Sequence, residues 1–204
     1  MRARKKKHGA ERLSACGEYM IHEGGVITNK PVILEIGCGK GKFITEFALN
    51  NPDKNIIGIE KTADIIVLAA EKVKNNKLIN VKLINDDVVN LPKFFTENDV
   101  TAIYLNFSDP WPKSGHYKRR LTYKSFLDIY KSILIPRGQI FFKTDNLNLF
   151  EFSIDQLNKN GFKVQNATYD LHSSEYAKEN ITTEYETNFI EKGFKINRLE
   201  AIKL

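Results

Sequence analysis

Short apolar runs rich in branched side chains alternate with amphipathic helical patterns from residue 32 onward, and this alternation restricts the possible folds. Strands that alternate with helices pair in parallel through right-handed crossovers. Two late runs, 162–169 and 194–203, have no helical pattern between them, and they predict an antiparallel edge. The chain is therefore predicted to be α/β, with a doubly wound, mostly parallel sheet of seven strands, Rossmann-like in layout.

The boundaries of these elements follow from glycine, proline and asparagine positions. The remaining predicted strands are 32–36, 55–60, 81–86, 100–107 and 139–143. The predicted helices are 41–51, 62–75, a segment around 126–134 ending near Pro136, and a segment around 150–157 ending at Gly161. A basic arm and lead-in, residues 1–30, is predicted to precede a single domain of residues 31–204.

Composition excludes several classes of protein. Of 204 residues, 42% are hydrophobic and 27% are charged, which is typical of a globular chain and not of a disordered one. The longest apolar run, 65–70, is too short to cross a bilayer, so no membrane association is expected. Two cysteines, Cys16 and Cys38, cannot form a disulfide framework. A cytoplasmic, reducing location is expected.

Positive charge is concentrated in two segments. Residues 1–12 hold six basic residues and one acid, and residues 113–124 hold five basic residues and no acid. Because the formal net charge is only +6, the rest of the chain is mildly acidic. Basic segments of this kind attract phosphate backbones, since each neutralised phosphate releases counterions. The sequence therefore predicts a polyanionic partner.

A glycine-rich loop follows the first predicted strand. It reads Gly37-Cys38-Gly39-Lys40-Gly41, with an acid, Glu35, inside the preceding strand. A dinucleotide-binding G-x-G-x-x-G loop would need glycine at position 42, where the chain has Lys42. Further acids end the second and third predicted strands, at Glu60 and at 86–87. Ligands bind at this carboxyl edge of a parallel sheet, so the acids are predicted to line a cofactor site.

These residues resemble class I S-adenosylmethionine-dependent methyltransferases. The resemblance implies S-adenosyl-L-methionine as cofactor, with the loop packed against its methionine and ribose parts. It implies that Glu60 accepts hydrogen bonds from the ribose hydroxyls, and that Asp86 or Asp87 contacts the adenine, with alignment to the family pattern favouring Asp87. The residues that the resemblance assigns to this cofactor are Glu35, Gly37, Gly39, Glu60, Asp87 and Asp109.

The segment 104–113, Tyr-Leu-Asn-Phe-Ser-Asp-Pro-Trp-Pro-Lys, leaves the fourth predicted strand. Its two prolines restrict the backbone on both sides of Trp111 and so hold Asp109 in a stiff turn. Together with 116–121, 2–5, 142–146 and 183–186, it closely resembles bacterial tRNA (guanine-N7)-methyltransferases (the TrmB family). The resemblance implies methylation of N7 of guanosine 46 in the variable loop of tRNA. A methyltransferase acting on another RNA, a protein or a small molecule, and a noncatalytic RNA-binding protein of this fold, are the alternatives.

The same resemblance assigns roles to the remaining residues. Asp109 is expected to be catalytic. The expected substrate-binding residues are Lys113, Asp145, Thr183, Glu184, Tyr185 and Glu186. The expected RNA-contacting loop is Gly115, His116, Tyr117, Lys118, Arg119 and Arg120. No metal is expected, because the sequence has no cluster of metal-ligand residues, and the protein is expected to be a monomer or a homodimer. His172 is expected to be structural, since guanine N7 carries no proton that a base must remove.

Overall fold

The computed structural model describes residues 8–22, 32–190 and 192–204, and seven strands form a mixed sheet in this part of the chain. The sheet order is β3-β2-β1-β4-β5-β7-β6. The strands are β1 (Val32–Ile36), β2 (Asn55–Ile59), β3 (Val81–Ile84), β4 (Val100–Asn106), β5 (Leu134–Thr144), β6 (Phe162–Thr168) and β7 (Asn197–Lys203). The predicted α/β class, strand number and antiparallel edge are confirmed.

Six α-helices are present in the described residues. They are α1 (Gly9–Ser14), α2 (Lys42–Asn50), α3 (Ala63–Asn75), α4 (Lys124–Ile133), α5 (Leu147–Lys159) and α6 (Glu184–Ile190). The four helices predicted from periodicity correspond to α2–α5, with ends that differ by a few residues. No helix among the described residues is long and apolar enough to span a membrane.

The chain divides into two compact units, one reaching to Phe95 and one from Thr96 to Leu204. In the first unit β1, β2 and β3 pair in parallel. All five residues of β1 are buried, as a continuous apolar run predicts for a strand covered on both faces. Gly58 of β2 allows close packing, because a Cβ there would lie 2.7 Å from Ile44 Cδ1 and 2.9 Å from Cys38 Sγ.

Part of the predicted lead-in belongs to the first unit, where it contacts α3 and β3. Arg12 of α1 forms a two-pronged ion pair with Glu71 of α3, with both N–O distances 2.7 Å. Tyr19 is buried, and the N–H of Ile21 donates to the carbonyl of Leu83 in β3. The basic motif 2–5 lies outside the described residues, and the predicted division at residues 30 and 31 stays a prediction.

In the second unit β4 pairs in parallel with β5, and β7 lies antiparallel between β5 and β6. β5 begins at Leu134, five residues before the predicted start at 139. Leu134 pairs with Val100, and the ladder resumes only at Gln139 with Ala102. The irregular stretch between them contains Pro136 and Arg137, whose φ is 62°. Pro136 is a turn signal in the sequence, so the predicted strand began only after it.

The segment between β6 and β7 corrects one prediction. No helix was expected there, but the structure has two 3-10 turns, Leu171–Ser173 and Glu175–Glu179, followed by α6. Thr183 and Glu186 begin α6 with a reciprocal pair of hydrogen bonds. Such a Thr-x-x-Glu pair is a known helix-start pattern, so a signal for α6 was present in the sequence.

Candidate functional site

The glycine loop between β1 and α2 has an unusual backbone. Gly37, Gly39 and Gly41 have φ values of 78°, 56° and 80°, in the left-handed region that favours glycine. The N–H groups of Gly37 and Cys38 both donate to the carbonyl of Ile59 at the end of β2. A Cβ on Gly37 would meet no atom within 4 Å, whereas one on Gly41 would lie 2.8 Å from Ala69 Cβ. The loop therefore has an open side at Gly37 and a packed side at Gly41.

Cys38 belongs to the packed side of the loop. It is 6% exposed, and burial raises the pKa of its thiol well above the ordinary value, with further raising by the charges of Glu35 and Glu60. A neutral, buried thiol is a poor nucleophile. Its raised pKa also shows that both carboxylates lie close enough to the loop to act on it electrostatically.

The three predicted acidic positions of the first unit lie at or near strand ends. Glu35 is 3% exposed within β1. Glu60 follows β2, and its Oε1 accepts the N–H of Thr62 at 2.8 Å. Asp87 follows β3 and caps the 3-10 turn Val88–Lys93 by accepting the N–H of Val89 at 3.2 Å. Glu60 and Asp87 are thus each fixed by a main-chain hydrogen bond, and Glu35 is buried within its strand.

Asp86 is held more tightly than its neighbour. Its Oδ1 accepts hydrogen bonds from the side chain of Asn90 at 2.7 Å and the N–H of Asp87 at 2.6 Å. These two bonds, the first being the larger cause, lower the pKa of the Asp86 carboxyl. Asp86 Oδ1 therefore accepts two hydrogen bonds within this turn, whereas Asp87 Oδ1 accepts one.

These features fit an adenosyl cofactor. The open side at Gly37 and Gly39 lets a ligand approach the main chain, where a Cβ at Gly39 would meet only Gly37 O at 3.9 Å. Carboxylates such as Glu60 accept hydrogen bonds from a diol. Among the described residues, no three His, Cys, Asp or Glu side chains are grouped to hold a metal ion.

In the second unit, Asp109 lies in a sharply bent segment after β4. Phe107 and Trp111, on its two sides, have φ values of 54° and 42°. The N–H of Phe107 donates to the carbonyl of Lys143 at 2.9 Å, which ties the start of the bend to β5. Asp109 itself is exposed. A rigid backbone thus presents a solvent-accessible carboxylate.

Tyr185 of α6 links the predicted substrate residues. Its ring is half exposed, lies 4.6 Å from the Phe189 ring in a stacked arrangement, and lies 5.4 Å from the Phe107 ring. Partial burial raises the pKa of the Tyr185 hydroxyl, and the charges of Asp145 and Asp109 raise it further. The fold therefore brings Asp109 and Asp145, which are far from Tyr185 in sequence, close enough to act electrostatically on the Tyr185 hydroxyl.

Glu186 occupies a different environment from Tyr185. Its side chain is fully buried, and its Oε2 lies 2.8 Å from Lys143 Nζ and accepts the N–H of Thr183. Its Oε1 accepts the Asn180 side-chain N–H at 2.7 Å and lies 3.1 Å from His172 Nε2. Both oxygens are used within the protein. Lys143 and Asn180 were given no role from the sequence, although a lysine in the apolar run 140–144 is a signal of a buried ion pair.

The basic loop after the bend forms a 3-10 turn, Ser114–Arg119. Lys113 precedes it and is exposed, as are Gly115, Tyr117, Lys118 and Arg119, whereas His116 and Arg120 are half-buried. Arg119 lies 4.9 Å over the Trp111 ring. Glu184, the first residue of α6, is half-buried and accepts the Asn188 side-chain N–H at its carbonyl. Most of the loop is accessible to a large partner.

The fold and the glycine-loop site define a class I methyltransferase. A family model described as "Putative methyltransferase" matches residues 29–199. A solved structure of an antibiotic-related methyltransferase has a TM-score of 0.62 to this chain at 18% identity, covering 99% of this chain and 96% of that one. This similarity shows the shared fold.

Two relatives narrow the assignment. A tRNA (guanine-N(7)-)-methyltransferase of Brevibacillus brevis is 45% identical over 173 residues, 85% of this chain and 81% of its own length. A tRNA (guanine-N(7)-)-methyltransferase of a Geobacillus species is 43% identical over 210 residues, 98% of this chain and 95% of its own length. The chain belongs to the tRNA (guanine-N(7)-)-methyltransferase family.

Proposed function

We propose that this protein transfers a methyl group from S-adenosyl-L-methionine to N7 of guanosine 46 in the variable loop of tRNA. The observation that carries the proposal is the position of Tyr185 in a chain of this family, because its ring lies 5.4 Å from that of Phe107 in the bend that presents Asp109. Asp145 and Asp109 also act electrostatically on the Tyr185 hydroxyl. Two carboxylates and an exposed aromatic ring suit a guanine, whose Watson–Crick edge donates hydrogen bonds and whose face stacks.

Guanine N7 has a free lone pair and no proton, so the reaction needs no general base. A site that holds N7 in line with the methyl group lowers the activation barrier by several kcal/mol, which accounts for much of the rate enhancement. The guanine becomes cationic as the methyl group arrives. A carboxylate at about 4 Å, in an effective dielectric near 20, contributes roughly 4 kcal/mol of attraction before desolvation is subtracted. Asp109 is the proposed catalytic group that supplies this attraction.

The proposed cofactor residues are Glu35, Gly37, Gly39, Glu60, Asp87 and Asp109. S-adenosyl-L-methionine supplies an electrophilic methyl group bound to sulfur. The open side of the loop at Gly37 accommodates the cofactor, and Glu60 Oε2 accepts hydrogen bonds from the ribose while its Oε1 is held by Thr62. Asp87 is favoured over Asp86 for the adenine, because Asp86 Oδ1 accepts two hydrogen bonds within its own turn, whereas Asp87 Oδ1 accepts one.

The substrate residues divide into two groups. Asp145, Tyr185 and Lys113 contact the guanosine directly, and Glu184 lies beside Tyr185 at the start of α6. Thr183 and Glu186 act through the fold, because their side chains bond to each other's backbone at the start of this helix. Buried positions of this kind orient the exposed residue between them.

The RNA is held by phosphate contacts from the basic loop at Gly115, His116, Tyr117, Lys118 and Arg119, and from the N-terminal arm. Phosphate contacts position an RNA without reading its sequence, so the choice of guanosine falls to the acids. We place the reaction in the cytoplasm, which accords with two free thiols, Cys16 and Cys38.

The test is to map N7-methylated guanosines in tRNA from cells with and without this protein. We expect methylation at position 46 to disappear without it. Purified protein with methyl-labelled cofactor should label a tRNA that has guanosine 46 and should not label the same tRNA with adenosine 46. Label in another RNA, a protein or a small molecule would support the corresponding alternative, and cofactor binding without transfer would support a noncatalytic RNA-binding protein.

A further inference from the structure

The bend that presents Asp109 is costly to form. Phe107 and Trp111 both have left-handed φ values, 54° and 42°, and neither is a glycine. A residue with a side chain is sterically strained in this conformation, because its Cβ lies too close to the following carbonyl oxygen. Pro110 and Pro112 have no N–H groups, so they donate no hydrogen bond that would hold the turn. A bend of this kind persists only where neighbouring groups restrain it.

Arg120 provides that restraint from outside the bend. Its Nε donates to the carbonyl of Pro110 at 2.9 Å, and its Nη2 donates to the carbonyl of Trp111 at 3.4 Å. These carbonyls belong to the two residues that directly follow Asp109. A planar guanidinium can bind two adjacent acceptors with fixed geometry, which an ammonium group cannot do.

The guanidinium is also fixed on its other side. It lies 4.5 Å over the ring of Phe152 in α5. The helix α5 begins at Leu147, directly after Asp145 and its capping residue Asn146. Arg120 thus connects the bend that carries Asp109 to the helix that follows Asp145.

The other cations of the same loop differ from Arg120. Lys118 and Arg119 are exposed, whereas Arg120 is half-buried and its donors are directed to main-chain carbonyls. Family resemblance assigned all of them to RNA contact. An arginine that already donates to two carbonyls and stacks on a ring has fewer donors left for phosphate oxygens.

We propose that Arg120 is a positioning residue, which holds the bend at Pro110 and Trp111 and so orients the Asp109 carboxylate toward the guanine. The proposal rests on the methylation function proposed above. It reassigns Arg120 from anchoring the RNA to shaping the site.

The first test does not depend on activity. Trp111 is the single tryptophan of the chain, so intrinsic fluorescence reports on the bend alone. In the Arg120→Lys variant we expect a shifted Trp111 emission and at least a twofold rise in acrylamide quenching. The control variant Lys118→Gln, which changes an exposed cation of the same loop, should match the wild type. An Arg120→Lys spectrum and quenching constant equal to those of the wild type would overturn the proposal.

The second test separates positioning from anchoring. We expect Arg120→Lys to lower kcat about 10- to 100-fold, as a misplaced catalytic group does, with tRNA affinity and its salt dependence unchanged. Lys118→Gln should weaken tRNA binding and reduce its salt dependence. An Arg120→Lys variant with normal kcat and weaker, less salt-dependent tRNA binding would show that Arg120 is a phosphate anchor.

A third variant covers the case in which Arg120 variants unfold. Phe152→Leu leaves both hydrogen bonds of Arg120 possible and removes the ring beneath the guanidinium. We expect Phe152→Leu to raise Trp111 quenching and to lower kcat, as Arg120→Lys does, but by a smaller factor. If both quantities equal those of the wild type, the proposal is contradicted. If the wild type does not methylate tRNA, the proposed function fails, and the fluorescence result still decides whether Arg120 holds the bend.

Discussion

The ammonium group of Lys143 lies 2.8 Å from Oε2 of Glu186, and the two side chains are only 8% and 0% exposed. Lys143 Nζ also donates to the Asn180 side chain and to the carbonyl of Ile181. A strand residue of β5 is thereby bound to the segment that begins α6. This buried network sets where Tyr185 stands, because Tyr185 directly precedes Glu186.

Replacing Lys143 by Met should therefore destabilise the protein strongly. The change leaves the Glu186 carboxylate buried without its cation, and breaking a buried pair in this way costs about 3–5 kcal/mol. Urea denaturation measures the free energy of unfolding. Asp128→Asn, which breaks the exposed contacts with Lys124 and Lys131, is the control and should cost less than about 1 kcal/mol. If the two variants lose equal free energy of unfolding, the buried Lys143–Glu186 pair contributes no more to stability than the exposed contacts of Asp128.

Replacing Asp109 by Ala should all but abolish methyl transfer while cofactor affinity stays within a few-fold of the wild type, because five other proposed cofactor residues remain. The carboxylate acts on the charge that develops on guanine, and its loss should lower kcat by about 10²–10³. Single-turnover transfer to tRNA and calorimetry with the cofactor measure the two effects separately. An equal loss of transfer and of cofactor affinity would contradict the catalytic role of Asp109.

Gly37 and Gly41 should respond differently to alanine. Gly37→Ala adds a methyl group on the open side of the loop, so we expect cofactor affinity to fall at least about tenfold. Because the φ of residue 37 is positive, we also expect the free energy of unfolding to fall by about 1 kcal/mol. Gly41→Ala places a Cβ 2.8 Å from Ala69 Cβ, so we expect a larger stability loss of about 3 kcal/mol. Calorimetry and urea denaturation of both variants compare the two effects. The reverse ranking in either measurement would contradict the geometry of the loop.

Asp145→Asn should lower the pKa of the Tyr185 hydroxyl. Burial, the larger cause of the raised pKa, remains in this variant, but one negative charge that opposes phenolate formation is removed. The folded pKa lies above the unfolded one, so the contribution of Tyr185 to stability is present below about pH 10 and is lost as the pH rises through the folded pKa. The pKa of Tyr185 is measured by ultraviolet titration. The titration curve of a Tyr185→Phe variant is subtracted from that of the same protein with Tyr185 present. An unchanged pKa would mean that Asp145 is not beside Tyr185.

Changing the five basic residues among positions 1–7 to Gln should weaken tRNA binding and flatten its salt dependence. If all five contact phosphates, the magnitude of the slope of log K against log salt decreases by about 3.5 to 4.5. Binding measured from 50 to 200 mM salt tests this. Arg12 is left unchanged, because its ion pair with Glu71 belongs to the fold of the first unit. An unchanged slope would show that the arm takes no part in RNA binding.

Much of the fold could be predicted from sequence, because its signals are local. The β1 run, the glycine loop and the helical period of α3 each lie within one short segment. The start of β5 at Leu134 could not be predicted in this way, since that residue pairs with Val100 through a ladder that Pro136 interrupts. Long-range pairing overrode the local turn signal.

The candidate site was predictable as a list of residues and not as an arrangement. Residue types and spacing, with the family resemblance, identified Asp109, Asp145 and 183–186 together as substrate residues. The structure separates them: Tyr185 is half exposed near the two acids, whereas Glu186 in the same motif is completely buried. Side chains one position apart on a helix point in different directions, and the neighbouring strand β5 decides which of them meets solvent.

The sequence by itself determined the α/β class, the glycine loop with its acids and the family, because these depend on residue type, local spacing and periodicity. Only the tertiary structure decided that Lys143 neutralises Glu186 and that Arg120 bonds to the bend after Asp109. Those contacts join residues 43 and 10 positions apart, respectively. Such pairs form only when the backbone has brought them within hydrogen-bond distance and excluded water, which no local pattern encodes.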